Sequence, residues 1–139
     1  MIILVVDGMG GGIGKAIVET LKNGDLGTDA EIIAVGTNSM ATANMLKAGA
    51  DAGATGENAV IYNASRATFI IGTTGIVIGN SMFGEISPTI SSAISCSHAH
   101  KILLPVSKCN ASILGTSDAP LSALFPEMLE TIKSFGKKS

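Results

Sequence analysis

Nine residues near the start, Asp7-Gly8-Met9-Gly10-Gly11-Gly12-Ile13-Gly14-Lys15, hold the most legible chemistry in this sequence. Five of the seven residues from Gly8 to Gly14 are glycine, where one or two would make a tight turn. A helix start carries unpaired backbone N–H groups and a partial positive charge, and glycines let an anion approach both. Gly8, Gly10, Gly11, Gly12, Ile13 and Gly14 therefore read as a cradle for a small anionic ligand, with a nucleotide as the candidate cofactor. Asp7 has two readings. It can meet a metal or a ribose hydroxyl, or it can accept N–H bonds from the loop that follows it. Its charge also repels a bare phosphate.

The run stands between an apolar stretch and an amphipathic one, the context in which a dinucleotide fingerprint has meaning. Its spacing departs from G-x-G-x-x-G, because Gly8-x-Gly10 is present but Ile13 holds the last glycine position. Gly8, Gly12, Ile13 and Gly14 match instead the G-x-x-x-G-I-G variant of short-chain dehydrogenases. Two further features of nicotinamide enzymes are missing. The second strand should end in an acid for the ribose hydroxyls, or be followed by Arg for a 2′-phosphate. Gly36-Thr37-Asn38 stands there. Tyr62 is followed by Asn63-Ala64-Ser65-Arg66 rather than by a lysine at the fourth position. A Walker A loop fails too, since Met9 takes the place of its first glycine and Ala16 follows Lys15. What remains is an anion-holding turn, and a dinucleotide oxidoreductase is disfavoured.

Ligands in open α/β sheets bind outside the carboxyl ends of the strands. The tips expected here are 7–14, 36–38, 72–75 and 105–110. Gly72, Thr73, Thr74 and Gly75 set two hydroxyls between two glycines, able to donate to an anion beside the first loop. Thr37 and Asn38 are helix caps that can also touch a ligand edge. Glu57 and Glu85, on glycine-flanked loops, join Asp7 as the first candidates for acid–base chemistry. Cys109 has Lys108 beside it to lower its pKa, but no neighbouring histidine to make it a nucleophile. His98-x-His100 lies between a helix end and a strand start, on the rim opposite the tips, where the helix dipole favours cations. No metal site is expected.

The elements that must position these residues follow from periodicity. Ile2–Val6 is apolar on both faces, as a central parallel strand is. Ile13, Ile17 and Leu21 recur every fourth residue, with Val18 beside them, and give a helix closing near Asn23-Gly24. Glu31–Val35 is the second strand. Asn38 or Ser39 caps a helix with Met40, Ala43, Leu46 and Ala50 on one apolar side. The next stretch is ambiguous: Ala59–Tyr62 has strand composition, but Val60, Ile61, Ala64 and Ala67 fall at helical spacing. A helix is preferred, preceded by a very short strand near Ala52–Ala54. Thr68–Ile71 and Lys101–Val106 are strands, and Ser112–Leu114 is a candidate extra one. Ser87-Pro88 starts a helix to about Ser97. Ala119-Pro120 opens the last helix, with Leu121, Leu124, Met128, Leu129 and Ile132 on a shared face.

Strands alternating with helices imply an α/β fold, a three-layer Rossmann-like doubly wound parallel sheet of about five strands. Its 139 residues make one domain, 1–135, with 136–139 a frayed tail. Hydrophobic residues make up 46% and charged ones 14%, the reverse of a disordered chain. The net charge is −2, with eight Lys, Arg66 alone among arginines, and no aromatic platform, so a nucleic-acid backbone finds no footprint. No apolar stretch approaches the ~20 residues of a membrane span, and the opening run lacks a signal peptide's basic start. With Cys96 and Cys109 the only cysteines, a disulfide framework is not expected and a reduced, cytoplasmic setting is. So few charges on an apolar chain also lead us to expect a homo-oligomer.

With these residues laid out, the chain resembles a bacterial family of short proteins, domain of unknown function 3842. The resemblance rests on the Asp7–Lys15 run, Gly36-Thr37-Asn38, Met45-Leu46-Lys47-Ala48-Gly49-Ala50, Gly53-Ala54-Thr55-Gly56-Glu57-Asn58-Ala59 and Asn80-Ser81-Met82-x-Gly84-Glu85-Ile86, with Cys109-Asn110 near the end. It implies a Rossmann-like domain and brings no catalytic residues with it. Three functions stay open at this point: a binding domain for a nucleotide or phosphorylated small molecule at the glycine loop, a small enzyme acting on a phosphorylated metabolite, and a non-catalytic interaction or structural protein.

Overall fold

A computed structural model describes residues 1–106 and 110–135. Its strands are β1 (Ile2–Asp7), β2 (Glu31–Gly36), β3 (Ala52–Thr55), β4 (Phe69–Thr73) and β5 (His100–Leu104). They form one all-parallel sheet in the order β3-β2-β1-β4-β5. The helices are α1 (Gly12–Asn23), α2 (Ser39–Lys47), α3 (Glu57–Ala64), α4 (Pro88–Ser95) and α5 (Phe125–Phe135). The fold is α/β and Rossmann-like, as expected.

The apolar run of β1 makes it the centre of the sheet, and its alternate residues feed two cores. Ile3 and Val5 pack with Ile17, Val18 and Leu21 of α1, Met45 of α2, and Met128 and Ile132 of α5. Leu4 and Val6 pack on the other face with Val60 and Ala64 of α3, and Ile90 and Ile94 of α4. A strand with no polar side chain before Asp7 suits only such a doubly covered position. At the edge, β3 is short and mostly exposed. Asp51 fastens its start: one carboxylate oxygen accepts from Ile32 N at 2.8 Å and the other pairs with Lys22 Nζ at 3.1 Å.

Several boundaries and one face differ from expectation. The ambiguous stretch, by contrast, is helical as preferred, Glu57–Ala64, with the short β3 before it. β4 extends to Thr73, so Gly72 and Thr73 are its last residues, and Thr74–Val77 make a single 3-10 turn. β5 begins at His100 and ends at Leu104, before Pro105, which cannot donate to a ladder. Residues 112–114 form no strand. α4 ends at Ser95. The last helical stretch opens as a 3-10 turn, Leu121–Leu124, before α5. The frayed tail expected at 136–139, and Cys109 with Lys108, lie outside the described residues.

The largest correction concerns α2. Its buried residues are Ala41, Thr42 and Met45, whereas Met40, Ala43 and Leu46 are exposed and Ala50 lies beyond the helix. The helix is turned because Thr42 belongs inside. Its hydroxyl accepts from Gly36 N at 3.1 Å and lies 2.7 Å from Thr55 Oγ1, so a polar side chain is satisfied in a buried place.

Candidate functional site

The β1–α1 connection is a tight turn closed by Gly11 N donating to Gly8 O at 2.9 Å. Gly11 then adopts φ 73 as the cap of α1, and a Cβ there would also lie 2.7 Å from Ala41 Cα. Glycine at that position is dictated by the fold. So is Gly8, whose Cβ would meet Thr37 Oγ1 at 2.5 Å and Met82 Sδ at 2.9 Å. Gly14 likewise lets α1 approach the sheet, since a Cβ would fall 2.6 Å from Met45 Sδ and 2.8 Å from Asp7 Cβ. Gly10 and Gly12 differ. Among the described residues a Cβ on either meets nothing within 4 Å, and neither has a positive φ.

Asp7 is the last residue of β1 and is buried. Its Oδ2 accepts from Gly14 N at 2.6 Å, so the chain's own carboxylate takes one N–H of the helix start. Burial raises the Asp7 pKa above the usual carboxylate value, the N–H groups of Gly14 and Gly8 oppose that rise, and the nearby Glu85 charge adds to it. The N–H groups of Gly10, Gly12 and Ile13 have no acceptor among the described residues.

These groups face a cleft of about 950 Å³ between the tips of β1 and β4. That is the switch point of the strand order, where chains leave toward opposite edges and open α/β sheets hold ligands. One wall is the 8–13 loop; the other is Thr73, Gly75 and the segment 78–83, with Val106 and Asn110 alongside. Met9, Asn80, Met82, Phe83 and Asn110 all line it and all have positive φ, from 51 to 66. Among the described non-glycine residues only Asp25 shares that conformation elsewhere. Such backbone is costly for side chains of this kind, and it clusters where surroundings over-determine it.

The 78–86 segment folds back on itself, with Asn80 N donating to Ile86 O at 2.7 Å and Glu85 N to Met82 O at 3.1 Å. This left-handed turn throws Glu85 across to the neighbouring tips. Glu85 Oε1 accepts from Thr37 Oγ1 at 2.6 Å, Met9 N at 2.9 Å and Asn38 Nδ2 at 2.9 Å. The Thr37 hydroxyl first, then the Met9 N–H, hold its pKa below the usual value. Glu85 therefore stays ionised and latches the segment over the end of β2. Glu57, the other carboxylate singled out, is exposed and accepts from Ser87 Oγ at 2.6 Å.

The structure thus gathers Asp7, Gly8, Gly10, Gly11, Gly12, Ile13, Thr73 and Gly75 into one cleft. Gly14, Thr37, Asn38, Gly72 and Thr74 stand behind it. Asn38 Oδ1 caps α2 through Ala41 N at 2.9 Å. Gly72 is packed against Val6 O and Ile76, and the Thr74 hydroxyl bonds Val106 at 2.9 and 3.2 Å. Asn80, Ser81, Met82 and Phe83 are the wall that spacing alone did not propose; the density of glycines from Gly72 to Gly84 was the available signal. His100 opens β5 on the opposite rim, where its ring stacks on Phe135 at 4.5 Å.

Comparison with curated proteins and with solved structures found no match. The profile of the family Domain of unknown function (DUF3842) matches residues 2–137, and the chain belongs to that family.

Proposed function

We propose that this chain is a binding domain that holds a nucleotide or another phosphorylated small molecule, of mononucleotide size, in the cleft between the β1 and β4 tips. Gly10 and Gly12 carry the reading. They line the cleft, yet nothing among the described residues requires them to be glycine. Where the native backbone suits alanine, glycine costs about 0.4–1 kcal/mol through the entropy of the unfolded chain, so its use there points to a molecule that approaches the backbone from outside. An anionic group would rest on the N–H groups of Gly12 and Ile13. Ile13, Ile78, Met82 and Val106 offer its body an apolar wall. Glu85 already occupies the tip of β2, where a dinucleotide would place its first ribose, and this favours the shorter ligand.

Thermal shift against nucleoside monophosphates, sugar phosphates and dinucleotides tests the reading. A ligand at a hundredfold excess over its Kd stabilises by about 2.7 kcal/mol. The wild type should respond to a mononucleotide-sized compound. Gly12→Ala should melt at the same temperature or higher without ligand, and should lose the response. If no compound moves the wild type, the proposal fails; if Gly12→Ala keeps the full shift, the ligand binds elsewhere.

A buried carboxyl with a raised pKa facing a cleft also supports a second reading, an enzyme acting on a phosphorylated metabolite with Asp7 as acid or base. Turnover that survives Asp7→Asn would remove Asp7 from that role.

A further inference from the structure

We propose that the cleft takes up its anion together with a proton, which Asp7 accepts as the ligand binds; this rests on the cleft being an anion site. Asp7 is 5% exposed and bonds the N–H of Gly14 in the first turn of α1. Two of the N–H groups left for a ligand, those of Gly12 and Ile13, belong to the same turn. A ligand oxygen on them therefore lies within about one helical pitch of the Asp7 carboxyl.

No Lys, Arg or His lines the cleft among the described residues. The elements packed around Asp7 bring it Gly14 from α1, Met45 from α2, and one further charge, Glu85 from the 78–86 segment. Among the described residues an arriving anion thus meets the Asp7 carboxylate in the cleft, with the Glu85 charge nearby and no side-chain cation, and like charges repel. Glu85 cannot relieve this, because three hydrogen bonds hold its Oε1 in the ionised form. Asp7 can. Proton uptake from solvent converts its carboxylate to a carboxyl; one oxygen keeps the Gly14 bond and the other gains an O–H to offer the ligand. Burial already moves Asp7 in that direction. The helix start is not the only donor present. Thr73 is 4% exposed, lines the cleft, and its hydroxyl has no partner among the described residues.

Calorimetric titration with sulfate, whose charge is constant over roughly pH 5 to 9, tests this, with adenosine 5′-monophosphate as a second probe. Running it in two buffers of different ionisation enthalpy counts protons. Sulfate affinity should fall about tenfold per pH unit across the window in which only the complex keeps Asp7 protonated, with close to one proton taken up there. Glu85→Gln should retain that slope, and Asp7→Asn should bind sulfate more tightly at high pH with a flat profile. If Asp7→Asn does not fold, the wild-type proton count decides. Binding with no proton uptake and no pH dependence overturns the inference and leaves the anion site standing. No binding of either probe at any pH removes the site, and this inference with it.

Discussion

A Cβ at Gly36 would fall 2.5 Å from Thr42 Oγ1, 2.6 Å from Thr42 N and 2.7 Å from Asn38 O. Two of these are backbone atoms that cannot step aside. Gly36→Ala should cost about 1–3 kcal/mol, read as a lower urea midpoint at unchanged slope. The same crowding leaves no room at the end of β2 for the acid that nicotinamide sites use. That absence was visible in the amino-acid order; its steric cause was not. Glu85 was visible too, but only as a carboxylate on a glycine-flanked loop. Its partners are 47, 48 and 76 residues away, and no local spacing encodes them. Because the fold lowers its pKa, ionised Glu85 contributes stability that is complete above its ordinary value of 4.5 and is lost as pH falls through the lowered one. Glu85→Gln should therefore be less stable than wild type by about 1–2 kcal/mol at neutral pH. The difference should shrink below about pH 4.5 in paired denaturation curves.

Among the elements, α2 shows where periodicity misleads. Met40, Ala43 and Leu46 form an apolar stripe, yet the helix turns Ala41, Thr42 and Met45 inward. A threonine reads as polar and outward unless its hydroxyl has partners, and those of Thr42 come from β2 and β3. The two readings predict opposite mutational patterns. Met45→Ala, at a fully buried side chain, should cost about 2–5 kcal/mol. Met40→Ala, at a side chain 64% exposed, should stay within about 0.5 kcal/mol of wild type. Thermal melts of the pair decide between them. The other helices were better signposted. Ile13, Ile17 and Leu21 shared a stripe, and Ser87-Pro88 announced α4 through a capping hydroxyl that accepts from Ile90 N at 3.1 Å. The ambiguity at 57–67 arose because eight residues are too few for period alone to separate helix from buried strand.

Across the whole molecule, the parallel class and the central place of β1 were legible, because a strand apolar on both faces must be covered twice. The order β3-β2-β1-β4-β5 was not, since pairing joins segments distant in the chain. That order predicts a gradient of rigidity. Amides of β1 and β4, buried throughout or nearly so, should exchange with solvent only on global opening, while those of the exposed edge strand β3 should exchange through cheaper local openings. Exchange of β3 as slow as β1 would contradict it. The Glu85 latch has a further consequence at this scale. One oxygen of the protein stands where a longer ligand would lay its own, on Thr37, Asn38 and the Met9 amide. On the proposed reading the latch would limit ligand length: a compound that ends before it would leave these three bonds intact, and a longer one would have to displace Glu85 from them.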